Sequence, residues 1–166
     1  MPQAKLNFSR AEFERRLIKT RQEMQQRGLD LLIVSDPSNM NWLTGYDGWS
    51  FYVHQCVILP LEGAPIWYGR GQDAKGALRT CFMEPSDIIG YPDHYVQSSE
   101  RHPMSYLAAQ LTDRGLAKGR IGVEMDNYWF SAAAYMALHA NLPNAQLTDA
   151  TGLVNWQRAV KSEAEL

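Results

Sequence analysis

Glu124 and Asp126 bracket Met125 where an apolar run ends, and carboxylates two residues apart on an extended chain share a face. Such a pair offers a general acid and a general base; a strand-end polar pair, or a cap for the following segment, accounts for the same residues. The histidines are His54, His94, His102 and His139, and none sits in an HExxH or HxH array. Asp93, His94, Glu100 and His102 fall in one irregular polar stretch and form the candidate ligand set for a metal, set against a solvated, hydrogen-bonded loop. Gly69-Arg70-Gly71-Gln72-Asp73-Ala74 matches G-x-G-x-x-A between a strand and a helix. Its strand, however, reads as the return arm of a hairpin rather than the start of a parallel βαβ unit. No acidic residue is placed where a ribose would need it, so a glycine turn feeding a helix is the reading adopted. No G-x-S-x-G elbow, P-loop or catalytic Cys–His signature occurs.

The richest patch is Trp49-Ser50-Phe51-Tyr52-Val53-His54. Trp49, Phe51, Tyr52 and His54 on a glycine-flanked loop offer a surface for an apolar or cationic ligand. If alternate residues turn inward, only half of them are left for that purpose.

The elements that would position these groups follow from spacing. Ser9 and Glu12 predict a capping box, Phe13, Leu17 and Met24 recur at helical spacing, and Gly28 supplies the left-handed stop. Residues 29–34 read as a buried strand. Asp36-Pro37 is an N-cap with proline at the first helical position, opening a short helix through Trp42 that Gly45 ends. Residues 55–59 and 65–68 form a hairpin across a turn at 60–64. A helix is expected over 72–82, a strand over 87–91, and a helix from Pro103 to Gly115. A strand over 120–125, a helix over 131–140 capped by Ser131, an edge strand over 145–147 and a last helical stretch over 150–160 complete the chain. Strands alternating with helices, plus one hairpin, predict an α/β fold: a three-layer α/β/α sandwich around a mixed sheet of five or six strands.

At 166 residues the chain has the size of one domain, and 45% hydrophobic with 20% charged residues is ordinary globular composition. Sixteen basic against eighteen acidic side chains leave a net charge of −2, which supplies no single-sign field for nucleic acid or an anionic membrane. Cys56 and Cys81 make no disulfide framework and read as half-buried thiols in a reducing compartment. No apolar stretch follows the charged N-terminal residues, and no run approaches the length of a membrane span. The expectation is a soluble, cytoplasmic protein.

Lys161-Ser162-Glu163-Ala164-Glu165-Leu166 holds a second capping box, Ser162 to Glu165, with one residue after it. An isolated turn is unstable in water, so the box reads as the opening of a longer helix, or as coincidence. Asn39-Met40-Asn41-Trp42-Leu43-Thr44-Gly45 resembles the N-x-x-Y-L-T-G segment of the creatinase/prolidase N-terminal domain, with Trp42 in place of the usual Tyr. Arg158-Ala159-Val160-Lys161-Ser162, followed by Glu165, resembles that superfamily's R-x-x-K-S-x-x-E junction with the catalytic pita-bread domain. Within the superfamily, Thr44-Gly45-Tyr46-Asp47-Gly48-Trp49-Ser50-Phe51, Gly90-Tyr91-Pro92-Asp93-His94-Tyr95-Val96-Gln97 and Gly122-Val123-Glu124-Met125-Asp126-Asn127-Tyr128 look most similar to ectoine hydrolases.

The resemblance implies a creatinase N-terminal, ribonuclease H-like domain over residues 1–160, with 161–166 beginning a C-terminal catalytic domain. The family's metal ligands and catalytic histidines would all follow Leu166, so this stretch is expected to be catalytically silent, without catalytic or metal-binding residues or a cofactor of its own. A divalent metal would belong to the C-terminal domain, and some relatives, as creatinase does, work without one. The resemblance further implies a homodimer in which the loop after Gly45 reaches the neighbouring subunit's active site. Trp49, Phe51, Tyr52 and His54 then become substrate-contacting candidates. Phe51 matches a substrate-contacting Phe of creatinase, whereas Val53 stands where creatinase has Arg, which argues against creatine. An aromatic wall suits a cyclic amidinium such as ectoine. The competing readings are the N-terminal domain of an Xaa-Pro dipeptidase or aminopeptidase, a stand-alone small-ligand module, and a metal-dependent hydrolase built on Asp93, His94, Glu100 and His102.

Overall fold

The computed structural model describes residues 6–50 and 52–166. Helix α1, Arg10–Gln26, is capped by Ser9, whose Oγ accepts from the Glu12 amide. Strand β1, Leu31–Val34, leads through the N-cap Asp36 into α2, Pro37–Thr44, and Gly45 closes that helix at φ 82°. The hairpin β2, Cys56–Pro60, and β3, Ile66–Arg70, follows, then α3, Ala74–Thr80, and β4, Ile88–Tyr91. Helix α4, Pro103–Asp113, strand β5, Gly119–Val123, helix α5, Ala132–Asn141, strand β6, Ala145–Asp149, and helix α6, Leu153–Ala159, complete the order.

One six-stranded sheet runs β4-β3-β2-β1-β5-β6. Strand β2 is antiparallel to β1 and β3, while β1–β5, β5–β6 and β3–β4 are parallel, so β2 alone is reversed. Because side chains alternate across a strand, the sheet sends one set to each face. Leu32, Val34, Val57 and Trp67 meet Phe13, Leu17 and Met24 of α1, Leu43 of α2, Ala77 of α3 and Leu153 of α6. Leu31, Ile33, Ile58 and Tyr68 meet Met104 and Leu107 of α4 and Leu138 of α5. Helices cover both faces, which is the expected three-layer α/β sandwich with a mixed sheet. No described helix is long and apolar enough to cross a membrane.

Three local expectations are corrected. Strand β5 stops at Val123, so Glu124 and Asp126 lie beyond it: Glu124 turns inward and is 3% exposed, while Asp126 is on the surface. They are not an acid–base pair. The strand before Gly69 does start a parallel βαβ unit, because β3 and β4 run parallel with α3 between them. The space beside its glycines is nonetheless taken by protein: the Gly71 amide donates to the Tyr91 carbonyl at 2.8 Å, and a Cβ on Gly90 would stand 2.7 Å from the Gly71 Cα. Third, the Glu12 carboxylate does not close a box onto Ser9; it is drawn to Arg15, Arg16 and Ser162.

Candidate functional site

The parallel strands all end on one rim of the sheet, and the reversed β2 begins there, so the turns after β1, β3, β4, β5 and β6 and the loop before β2 share it. In open α/β sheets this carboxyl rim is where ligands and partners are met. Three groups of residues occupy it.

The first is a buried polar node between α1, α2 and the last residues of the chain. Arg16 is 1% exposed, and its guanidinium reaches Glu12 Oε1 at 3.0 Å, the Trp42 carbonyl at 2.9 Å and Glu165 Oε1 at 2.9 Å. Its face is covered by aromatics, with Cζ 4.1 Å from the Phe8 ring centroid and 5.2 Å from that of Trp42. Ser162 Oγ donates to Glu12 Oε1 at 3.0 Å, the Ser162 amide to Glu165 Oε2 at 2.9 Å, and Trp42 Nε1 to Glu165 Oε1. The hydrogen bonds from Arg15, reinforced by those from Ser162 and Arg16, outweigh burial and hold the Glu12 carboxyl down at about 2. Burial raises Glu165, but the bonds from Ser162 and Trp42 and the Arg16 charge prevail and leave it below the usual carboxylate range.

The node continues through Arg158, whose Nη1 donates to Asn39 Oδ1 at 2.7 Å; Asn39 Nδ2 in turn donates to Glu124 Oε1 at 2.6 Å. Glu124 Oε2 accepts from the amides of Ser35 and Asp36 at 2.8 and 2.9 Å. It therefore fills the crevice between β1 and β5, where the strand order changes direction. Burial pushes its carboxyl up despite these three donors. Glu124→Gln keeps one acceptor oxygen but turns an NH2 toward the backbone amides, and is expected to cost about 1–2 kcal/mol in urea unfolding. The two segments singled out by sequence, Asn39 to Gly45 and Arg158 to Glu165, thus meet in space. Arg16 and the pairing of Glu12 with Ser162 were not foreseen, since these residues read as ordinary helix-surface and capping positions.

The second group is the loop over residues 46–55. Trp49 is 83% exposed and Tyr52 is also on the surface. Phe51 lies outside the described residues. His54 turns the other way, half-buried, its ring centroid 4.7 Å from that of His102. Burial, with His102 nearby, lowers the His54 imidazole to about 4. Below the loop, Tyr46 anchors it by donating to Gln55 Oε1 at 2.9 Å.

The third group is a cleft of about 230 Å³ between Tyr52, Val53 and His54 on one side and, on the other, Tyr91 at the end of β4 and the segment leading to α4, including Arg101 and His102. The proposed metal set is not assembled here. Asp93 is bound by Arg70 at 2.8 Å, Glu100 faces Arg101, and His102 Nδ1 accepts from the Met104 amide as the N-cap of α4. Among the described residues no three of His, Cys, Asp and Glu gather as metal ligands.

Sheet order, two-sided helical cover and a rim that fastens the C-terminal segment to α1 and α2 define a doubly covered α/β domain. The chain belongs to the creatinase/prolidase N-terminal domain family, whose pattern matches residues 16–160. It is 61% identical to ectoine hydrolase of Halomonas elongata over its whole length, covering 42% of that protein. It is 41% identical to the uncharacterized hydrolase/peptidase y4tM of Sinorhizobium fredii, over 97% of this chain and 41% of that one. The chain thus spans about two fifths of these curated relatives. Among solved structures, a proline dipeptidase of Streptococcus pneumoniae superimposes with TM-score 0.70 at 21% identity, over 87% of this chain and 98% of that one. At that identity the likeness shows the fold.

Proposed function

We propose that the chain is the N-terminal, non-catalytic domain of a creatinase/prolidase-type C–N hydrolase acting on ectoine or a similar cyclic amidine. Residues 1–160 form the domain and 161–166 open the pita-bread catalytic domain. The observation that carries this reading is the 61% identity with ectoine hydrolase from end to end of the chain. The polar node supports it: a buried arginine that fixes Glu165 and Ser162 gives the following polypeptide a set starting direction.

In this reading the enzyme is a cytoplasmic homodimer, and the loop bearing Trp49, Phe51, Tyr52 and His54 closes over the neighbouring subunit's active site. Trp49 is 83% exposed, and an indole ring is the aromatic surface that attracts a delocalised cation most strongly. Any divalent metal would be held by the catalytic domain. In the longer enzyme, Trp49→Ala is expected to raise KM for ectoine or lower kcat, reducing kcat/KM by roughly tenfold, the size of a desolvated cation–π contact. Circular dichroism should show an unchanged fold. Kinetics unchanged for both Trp49→Ala and Phe51→Ala would remove the loop from the active site. Residues 1–166 alone should not hydrolyse ectoine; turnover by them would overturn the assignment.

A further inference from the structure

The cleft beside the loop has a feature that protein structure alone does not use. Tyr91 lines it yet is 0% exposed, and its hydroxyl has no hydrogen-bond partner among the described residues. Buried hydroxyls are nearly always paired, and an orphan needs an explanation. Its neighbours on the cleft wall are donors as well. His102 Nδ1 accepts from the Met104 amide at 3.1 Å, so the neutral imidazole carries its proton on Nε2. Burial lowers the imidazole below its ordinary range and keeps it in that neutral form near pH 7. Arg101 brings a guanidinium whose contact with Glu100, 3.3 Å between two largely exposed side chains, is weak enough to exchange. Tyr95 and Val96 supply the carbon surface. Gln97, also on the wall, is the one described non-glycine residue with positive φ, at 51°.

We propose that this cleft binds a small organic carboxylate, its oxygens taken by Arg101, the Nε2–H of His102 and the Tyr91 hydroxyl, its carbon body laid on Tyr95 and Val96. All of these residues line the one cavity of about 230 Å³. The donors are one cation and two neutral protons, which match a monoanion better than a phosphate dianion. The apolar wall asks for a ligand with carbon to bury. Since Tyr52 and His54 also belong to the loop, the proposal deepens the reading above by giving that loop a carboxylate-recognising floor.

The test is an amide-resolved NMR titration of the 166-residue chain with N-acetylglycine at pH 7. N-acetylglycinamide serves as the neutral control and inorganic phosphate as the anion without a carbon body. Saturable shifts over residues 98–104 are expected with N-acetylglycine, and binding about tenfold weaker with each control, the worth of one charge-assisted hydrogen bond. Tyr91→Phe should weaken N-acetylglycine by roughly fivefold to tenfold while leaving the thermal midpoint equal or higher, because it deletes an unpaired group. Arg101→Gln should weaken it similarly. Equal affinity for charged and neutral probes, phosphate binding as tightly, no saturable shift, or a Tyr91→Phe variant that binds normally or melts lower would each overturn the proposal. Binding here requires no turnover, so failure of this titration and failure of the kinetic test on Trp49 are separate results.

Discussion

Arg16→Ala is expected to destabilise the 166-residue chain by about 3–5 kcal/mol, the cost of leaving the buried Glu165 carboxylate without its cation and Glu12 with Arg15 alone. The substitution strips Glu12 and Glu165 of a shared partner and leaves the two side chains, each about nine-tenths buried, facing one another. It also empties the space between the Phe8 and Trp42 rings. Arg16→Lys keeps the charge but cannot reach three acceptors with one ammonium, so an intermediate loss is expected. Urea denaturation at pH 7 measures both. The effect depends on pH with a definite sign. Glu12 has a folded-state carboxyl at about 2 against an ordinary 4.5. A depressed carboxylate contributes stability that is present in full above about 4.5 and is lost as pH falls toward about 2. The wild-type chain should therefore weaken across that window. The deficit of Arg16→Ala relative to it should narrow there, since a protonated carboxyl no longer needs the cation. A deficit independent of pH would assign the loss to packing rather than charge.

Gly45→Ala is expected to cost about 3–4 kcal/mol, with strain and collision adding at one site. The position holds φ 82°, and a Cβ would lie 2.8 Å from the Thr80 carbonyl oxygen and 3.1 Å from the Phe13 ring. Neither neighbour yields easily: the first is backbone, and Phe13 is a core residue stacked on Phe82 with centroids 5.1 Å apart. Gly63→Ala is the internal control. Gly63 also has positive φ, 97°, but nothing lies within 4 Å of its Cβ position. That substitution should cost only about 1 kcal/mol, the conformational part alone. Equal losses at the two positions would show that the Thr80 contact relaxes.

How much of this was legible in the sequence depended on range. Local chemistry was legible: Ser9, Asp36-Pro37, Gly28 and Gly45 mark helix ends because each satisfies or relieves a nearby backbone group, and the structure places them there. The hairpin was legible for the same reason. What depends on distant partners was not. Glu12 looked like half of a cap, but Arg15 and Arg16 on its own helix compete for its carboxylate, and a third partner, Ser162, stands 150 positions away. Met125 seemed to extend β5, but the strand stops at Val123 and the Glu124 carboxylate turns to the amides that follow β1. The parallel pairing of β3 with β4 was hidden because a hairpin arm carries no mark of what it will pair with on its other edge. In the candidate site, the loop residues stood out by type and His102 as a candidate metal ligand, whereas the N-cap role of His102 and the place of Tyr91 show only once α4 and the cleft are formed.

The single reversed strand has a practical consequence. With the loop, the cleft and residues 158–165 all on one rim, the opposite rim carries, among the described residues, connecting turns such as those at Gly63 and Gly115, where an added Cβ meets nothing. The molecule can be tethered, labelled or fused from that rim while the loop and the cleft stay open.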